Sequence, residues 1–403
     1  MSNEKQREGT VKSRQRVLTK TDKKASRKED DNKKMKKRLI FNTYNTNYPI
    51  IDLAAKNLGF KTVFKDHNLV PSPELKAAHR IAPGVYATII PEEFDVVWFD
   101  TPIKEDTLQK IKPHQRVSQW PGIQIITNKS RLAKNLTLMK KAFPAEYNFF
   151  PMSYNLPNDL TDFKKALIHQ RDVYIVKPSH DCQGRGIYLA SSIDDYQEDS
   201  EGKPQVAQTY IDNPLLIDKL KFDLRLYVLL FGIQPLRIYL FDDGLARFAT
   251  TPYESALRGD KKNLFMHLTN YAINKKNENY VQNENFDGGT GTTLDGRAPG
   301  RERNNSSNHG QNEQEEQPEE KKAHKRSLKQ IYKLIEEMGR STDKLKRDIK
   351  ELVIKTLVTG QSHLHHIFKT NHPDDFENQM CFQILGFDVM IDSNLKPWLI
   401  EVN

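Results

Sequence analysis

Ile384-Leu385-Gly386-Phe387-Asp388-Val389-Met390-Ile391, Asp392-Ser393-Asn394 and Lys396-Pro397-Trp398-Leu399-Ile400-Glu401-Val402-Asn403 read as two strands joined by a turn. Asp388 interrupts an otherwise apolar strand, and Glu401 and Asn403 alternate with Ile400 and Val402 in the next. Side chains alternate between the two faces of a strand, so Glu401 and Asn403 share one face, and an antiparallel neighbour can present Asp388 beside them. Two carboxylates and an amide carbonyl converging in this way suit Mg²⁺, a hard cation that takes oxygen ligands and often shares them with phosphate. The same pattern also describes the wet face of an edge hairpin.

Working outward, Tyr174-Ile175-Val176 is a strand running into Lys177-Pro178, and Gln183-Gly184-Arg185-Gly186 leads to a second strand at Ile187-Tyr188-Leu189. Strand, flexible loop and strand predict a hairpin lid. Lys177 is placed to reach a phosphate, and glycine lets backbone approach one closely; a surface lysine beside an ordinary turn fits equally. Val206 to Ile211 is another short strand. Phe222 to Phe231 and Leu236 to Phe241 predict adjacent antiparallel strands with a turn at Gly232. In the first of these Lys221, Asp223 and Arg225 share a face, which can bind a charged ligand or carry cross-strand ion pairs; Arg237 and Arg247 add cations nearby.

The 403 residues suffice for two or three domains. Residues 1–38 hold 15 Lys/Arg against 6 Asp/Glu, whereas 39–403 hold 47 of each, so the net charge of +9 belongs to a tail. Residues 1–36 lack apolar periodicity and are expected to be a disordered basic tail, either a hook for polyanions or a solvated extension. Residues 37–122 predict a small α/β domain (strands at 38–41 and 95–99, a helix at 50–58), 123–211 a central domain with a helix at 129–141 and the lid, and 212–403 a C-terminal domain. A Gly/Asn/Glu/Gln-rich insert, 284–324, interrupts the last, before helical spacing returns at 328–357. Cys182 and Cys381 allow one disulfide at most and no metal spacing, which fits a reducing compartment. The most apolar run, 224–233, is about half the ~20 residues a membrane span needs, and no leader with an apolar centre is expected. The balanced charge of the folded part gives nucleic-acid binding little support.

Taken together, Lys177-Pro178 with Gln183-Gly184-Arg185-Gly186-Ile187, Lys221-Phe222-Asp223-Leu224-Arg225, Pro235-Leu236-Arg237-Ile238-Tyr239, Gly244-Leu245-Ala246-Arg247-Phe248, His267-Leu268-Thr269-Asn270-Tyr271 and the closing hairpin resemble the tubulin tyrosine ligase-like family, from about Lys37 to Asn403. The resemblance implies an α/β (α+β) ATP-grasp fold. It implies that Lys177, Gln183, Gly184, Gln208, Thr209, Tyr210, Ile211, Lys221, Asp223, Thr269 and Asn270 surround ATP, and that Asp388, Glu401 and Asn403 hold Mg²⁺. Lys177, Arg225 and Arg247 would serve catalysis. Arg247, Tyr271, Ala272 and Lys325 would lie near the incoming amino acid, with Arg185 on the lid toward the acceptor.

The Phe-Asp-Leu-Arg and His-Leu-Thr-Asn-Tyr forms look most like the glutamylase branch. That implies a monomeric ligase that uses ATP and free L-glutamate to extend glutamate side chains in acidic tubulin tails, in the cytoplasm, on the cytoskeleton, and at cilia or basal bodies. Glycine or tyrosine ligation, or a non-catalytic microtubule-binding protein, are the alternatives. Family members normally continue past the position of Asn403, so the resemblance implies a truncated chain.

Overall fold

The structure is a computed structural model that describes residues 38–63, 94–103, 105–170, 172–181, 183–199, 201–283 and 323–403. The expected basic tail, nearly all of the expected insert and Cys182 lie outside the described residues. Among the described residues the strands form three sheets. The first is parallel, in the order β2-β1-β3-β4, from β1 (Ile40–Asn45), β2 (Lys61–Val63), β3 (Val96–Phe99) and β4 (Arg116–Val117). The second is antiparallel, in the order β5-β8-β6-β7, from β5 (Ser153–Leu156), β6 (Tyr174–Pro178), β7 (Tyr188–Ala190) and β8 (Gln205–Thr209). The third and largest runs β12-β11-β10-β13-β14, with β9 on β10. Its strands are β9 (Leu216–Ile217), β10 (Leu220–Ile233), β11 (Leu236–Phe248), β12 (Lys325–Ser327), β13 (Gln383–Ile391) and β14 (Pro397–Val402). This is the mixed α/β class expected from the sequence.

The two faces of β10 explain how the large sheet is held. Phe222, Leu224, Leu226, Val228 and Leu230 are buried in a core that includes Leu385, Phe387 and Val389 of β13. The helix Asp343–Asn371 closes that core with Leu345, Ile349, Leu352, Val353, Leu357, Leu364 and Phe368, which recur at helical spacing, Leu352 and Val353 side by side, to form one apolar stripe. The helix carries Asp343 in its first turn and ends before Pro373, which disfavours helical geometry in the residue before it. With one face committed to this core, register is fixed, because a slip of one residue would carry Asp223 and Arg225 into it. The remaining face of β10 presents Lys221, Asp223 and Arg225.

The β10–β11 hairpin turns at Gln234–Pro235, two residues beyond the expected Gly232. Gly232 instead lies within β10 because Arg237 crosses its backbone: a Cβ there would sit 2.6 Å from Arg237 Nε. Trp120 ties the first sheet to the third. Its indole donates to the Leu230 carbonyl at 3.0 Å and its ring packs 5.1 Å from that of Phe368, while Val117 bridges Cys381. The second sheet has its own core, in which Tyr154 and Tyr174 enclose Phe163 from the helix Leu160–His169. Its open end faces the polar face of β10.

Candidate active site

Charged residues meet in a row across the large sheet because cross-strand register places them opposite one another. Arg225 of β10 faces Asp388 of β13, which faces Glu401 of β14; Asp223 of β10 faces Arg247 of β11, which faces Lys325 of β12. Asp388 is 2% exposed and accepts from Arg225 Nε at 2.5 Å and Arg225 Nη2 at 3.0 Å, with Arg247 Nη2 at 2.8 Å. Arg247 also makes a fork to Asp223, from Nε at 2.8 Å and Nη2 at 2.5 Å. Burial would push the Asp388 carboxyl up, but Arg247 and Arg225 together outweigh it and hold it below the usual carboxylate range. Glu401 goes the other way: burial and the neighbouring Asp388 raise it, against Lys129 and Lys177.

Asn403 joins this pair through its backbone, exchanging two 2.8 Å hydrogen bonds with Gly386, and its amide lies 3.4 Å from both Asp388 Oδ2 and Glu401 Oε1. Among the described residues there is no metal-suited group of three or more His, Cys, Asp or Glu. The oxygens here belong to the two carboxylates, and the Asn403 amide turns its Nδ2 toward both as a donor.

On β6 and at the start of β10 the charges are lysines on neutral partners. Lys177, at the end of β6, is buried and donates to Gln208 Oε1 at 2.9 Å; Gln208 in turn donates to Ser153 Oγ. Lys221 donates to Tyr210 Oη at 2.8 Å and to the His267 carbonyl at 2.9 Å. Tyr210 Oη lies 3.0 Å from His267 Nδ1, and His267 Nε2 lies 3.1 Å from the Asp260 carbonyl. A carbonyl only accepts, so the imidazole proton belongs on Nε2 and Tyr210 donates to Nδ1. Desolvation lowers Lys177 to about 8 and Lys221 to about 7, in each case against carboxylates that pull the other way. Burial, reinforced by Lys221, also lowers His267. Both lysines are thus set to gain from an anion placed between them.

A cleft of about 610 Å³ separates these groups. It is lined by Lys177, Gln208, Thr209, Tyr210, Ile211, Lys221, Asp223, Arg247, Thr269, Asn270, Asp388 and Glu401, twelve of the residues expected from the sequence. Ile175, Ile187, Met390 and Ile400 supply apolar walls suited to a flat ring, while the charged groups suit phosphates. Gln183 and Gly184 lie on the loop between β6 and β7 with φ of 62° and 82°. This loop rests against the opposite wall, since a Cβ on Gly184 would sit 2.5 Å from Ile273 Cδ1 and 3.3 Å from Asn270 Oδ1.

Other expected residues fall at the margin. Arg185 is exposed on the loop, Tyr271 and Ala272 begin the short helix after Asn270, and the Lys325 ammonium lies 3.6 Å from the centre of the Tyr271 ring. Lys129 escaped the sequence analysis as a site residue: it opens the helix Lys129–Ala142, its Nζ lies 3.8 Å from Glu401 Oε2, and it donates to the Asp181 carbonyl at 2.8 Å. His267 and the apolar walls were also missed. His267, Ile175, Ile187, Met390 and Ile400 stand within stretches already singled out; nothing local marks Lys129.

A lid, a lysine pair and an oxygen-donor hairpin around one cleft define an ATP-grasp-like mixed α/β protein. A profile of the tubulin-tyrosine ligase family matches residues 107–298 and 303–403. The chain is 37% identical over 374 residues to a probable beta-tubulin polyglutamylase of Tetrahymena thermophila, covering 91% of this chain and 26% of that protein. It is 36% identical over 331 residues to the tubulin polyglutamylase ttll6 of Danio rerio (81% and 37%), and 34% over 374 residues to the human tubulin polyglutamylase TTLL13 (92% and 38%). The chain belongs to the tubulin-tyrosine ligase family. It spans between about a quarter and two fifths of the length of these relatives.

Proposed function

We propose that this chain carries the ligase site of a tubulin polyglutamylase, using Mg²⁺ and ATP to join free L-glutamate to glutamate side chains in acidic tubulin tails. The observation that carries this reading is the cleft in which Asp388 and Glu401 face Lys177, with Asn403 bonded to both carboxylates at its rim. The donor set fits a hard divalent cation, and the two buried lysines fit phosphate oxygens. The names of the relatives support glutamate as the added amino acid and tubulin as the acceptor.

A carboxylate is a poor electrophile, and bound Mg·ATP would supply the phosphoryl group that activates it as an acyl phosphate, open to attack by an amine. Asp388, Glu401 and Asn403 would hold the metal, and Lys177 and Lys221 would steady the phosphates. Gln208 to Ile211 and the apolar walls would seat the base, while Gln183 and Gly184 close over it and exclude water. Arg247, already anchored on Asp223, would take a carboxylate of the incoming amino acid. Arg225 would balance charge at the transferring group, and Arg185, Tyr271, Ala272 and Lys325 would meet the acceptor and amino acid at the cleft mouth.

The division into 37–122, 123–211 and 212–403 remains our proposal, supported by one sheet in each. We further place the protein on the cytoskeleton, at cilia or basal bodies, acting as a monomer; among the described residues no helix is long and apolar enough to cross a membrane. The test offers full-length protein labelled glutamate, glycine and tyrosine in parallel, with microtubules and Mg·ATP. Preferential glutamate incorporation, lost in Glu401→Gln, is expected. Preference for glycine or tyrosine overturns the branch assignment, and equal incorporation by wild type and Glu401→Gln overturns the ligase site.

A further inference from the structure

Asp388 is the most enclosed oxygen donor in the cleft, and both of its oxygens are already engaged. Oδ1 accepts from Arg225, and Oδ2 from Arg225 and Arg247. Sheet register sets Arg225 directly opposite this carboxylate, and Arg247, paired with Asp223 on β10, reaches it across that strand. Arg247 has a second anchor: its Nε bond to Asp223 survives if the bond to Asp388 is given up.

We propose that Arg225 and Arg247 act as internal counter-ions that make binding of the amino acid conditional on prior uptake of the metal nucleotide. The inference rests on the ligase reading and deepens it. Two guanidinium groups and a divalent cation compete for the same carboxylate, because like charges at such separations repel. With the cleft empty, Arg247 is satisfied by Asp223 and Asp388 and has little to gain from an external carboxylate. When Asp388 turns to the metal beside Glu401 and Asn403, Arg247 keeps Asp223 but loses one acceptor. A buried guanidinium short of an acceptor binds a carboxylate far better than a satisfied one. The coupling must be reciprocal, so the amino acid strengthens uptake of the metal nucleotide by the same factor.

The experiment uses full-length protein without microtubules. Binding of Mg²⁺ with a non-hydrolysable ATP analogue is measured first, by calorimetry, and binding of labelled L-glutamate follows with the cleft empty or saturated. Glutamate is expected to bind at least about tenfold tighter to the loaded protein, and the nucleotide to gain the same factor from glutamate. Affinities equal within twofold, or no glutamate binding in either state, overturn the clamp while leaving the nucleotide reading intact. Absence of nucleotide binding overturns both. Asp388→Asn removes the clamped charge, and the variant, checked for folding by circular dichroism, is expected to bind glutamate without nucleotide nearly as well as loaded wild type. Binding by folded Asp388→Asn as weak as by the empty wild type counts against the clamp.

Discussion

The two ends of the cleft bury charge in opposite ways. On the large sheet Arg225, Arg247, Asp223 and Asp388 neutralise one another through forked hydrogen bonds. Lys177, on the second sheet, and Lys221, at the start of β10, are instead buried on an amide, a phenol and a carbonyl, and their pKa values fall to about 8 and about 7 because burial outweighs the nearby carboxylates. In the first arrangement every charge already has a partner without a ligand, so removing one partner strands another. The second costs stability until an anion arrives.

The largest effect expected from breaking this contrast is in activity. Glu401→Gln should lower amino-acid incorporation about a thousandfold, as for other residues that stabilise charge in a transition state. The fold should be little disturbed: burial and the neighbouring Asp388 raise the Glu401 pKa, so its charge costs the native state, and a neutral amide relieves that cost. Circular dichroism and a urea midpoint no lower than wild type would separate this from misfolding.

The next pair of variants sets the two ends against each other. Arg225→Met leaves the buried Asp388 with one arginine and should destabilise the protein by about 3 kcal/mol, measured by urea denaturation. Lys177→Met removes a buried cation whose partner is a neutral amide, so stability should hold or rise while affinity for the nucleotide analogue drops about a hundredfold. Equal destabilisation by both would erase the distinction.

Acidity sharpens the same point. An unfolded lysine titrates near 10.5, above Lys177 at about 8 and Lys221 at about 7, so between pH 7 and 9 the unfolded chain binds more protons than the native one. The ligand-free protein should therefore become more stable as pH rises through that window, by up to about 1.4 kcal/mol per pH unit for each lysine. Bound phosphates raise both lysines again. The slope should flatten with Mg·ADP, and nucleotide binding at pH 8 should take up protons, seen as a dependence of the calorimetric heat on buffer ionisation. A flat urea midpoint without ligand would mean that both lysines stay charged.

Much of this was legible in the sequence where a strand period of two meets an apolar core. The alternation of Lys221, Asp223 and Arg225 with Phe222 and Leu224 puts three charges on one face, and Asp388 could be placed beside Glu401 because both strands flank one short turn. Lys129 could not be found in that way. It belongs to a helix rich in lysine, and only the packing of that helix against β14 distinguishes it from Lys134 or Lys140. The Gly232 turn failed for a similar reason: glycine often marks a turn, but here it makes room for Arg237, a contact set by the partner strand. The apolar walls likewise come from strands distant in sequence and are legible only once those strands are assembled.

The smallest expected effect belongs to the lid, which joins the two ends. Gly184 has a φ of 82°, in the left-handed region that an alanine enters at a cost of about 1 kcal/mol. Its missing side chain also allows the loop to lie on Ile273 and Asn270, where a Cβ would stand 2.5 Å from Ile273 Cδ1. Gly184→Ala should therefore lift the loop from that wall without touching the core. The urea midpoint should stay near wild type, while affinity for the nucleotide analogue falls about fivefold, the size expected when a closing contact worth about 1 kcal/mol is lost. The loss should be the same at pH 7 and pH 9, since neither lysine is moved. A pH-dependent loss would mean that the loop also governs how far Lys177 is desolvated, and that the two ends of the cleft are not independent.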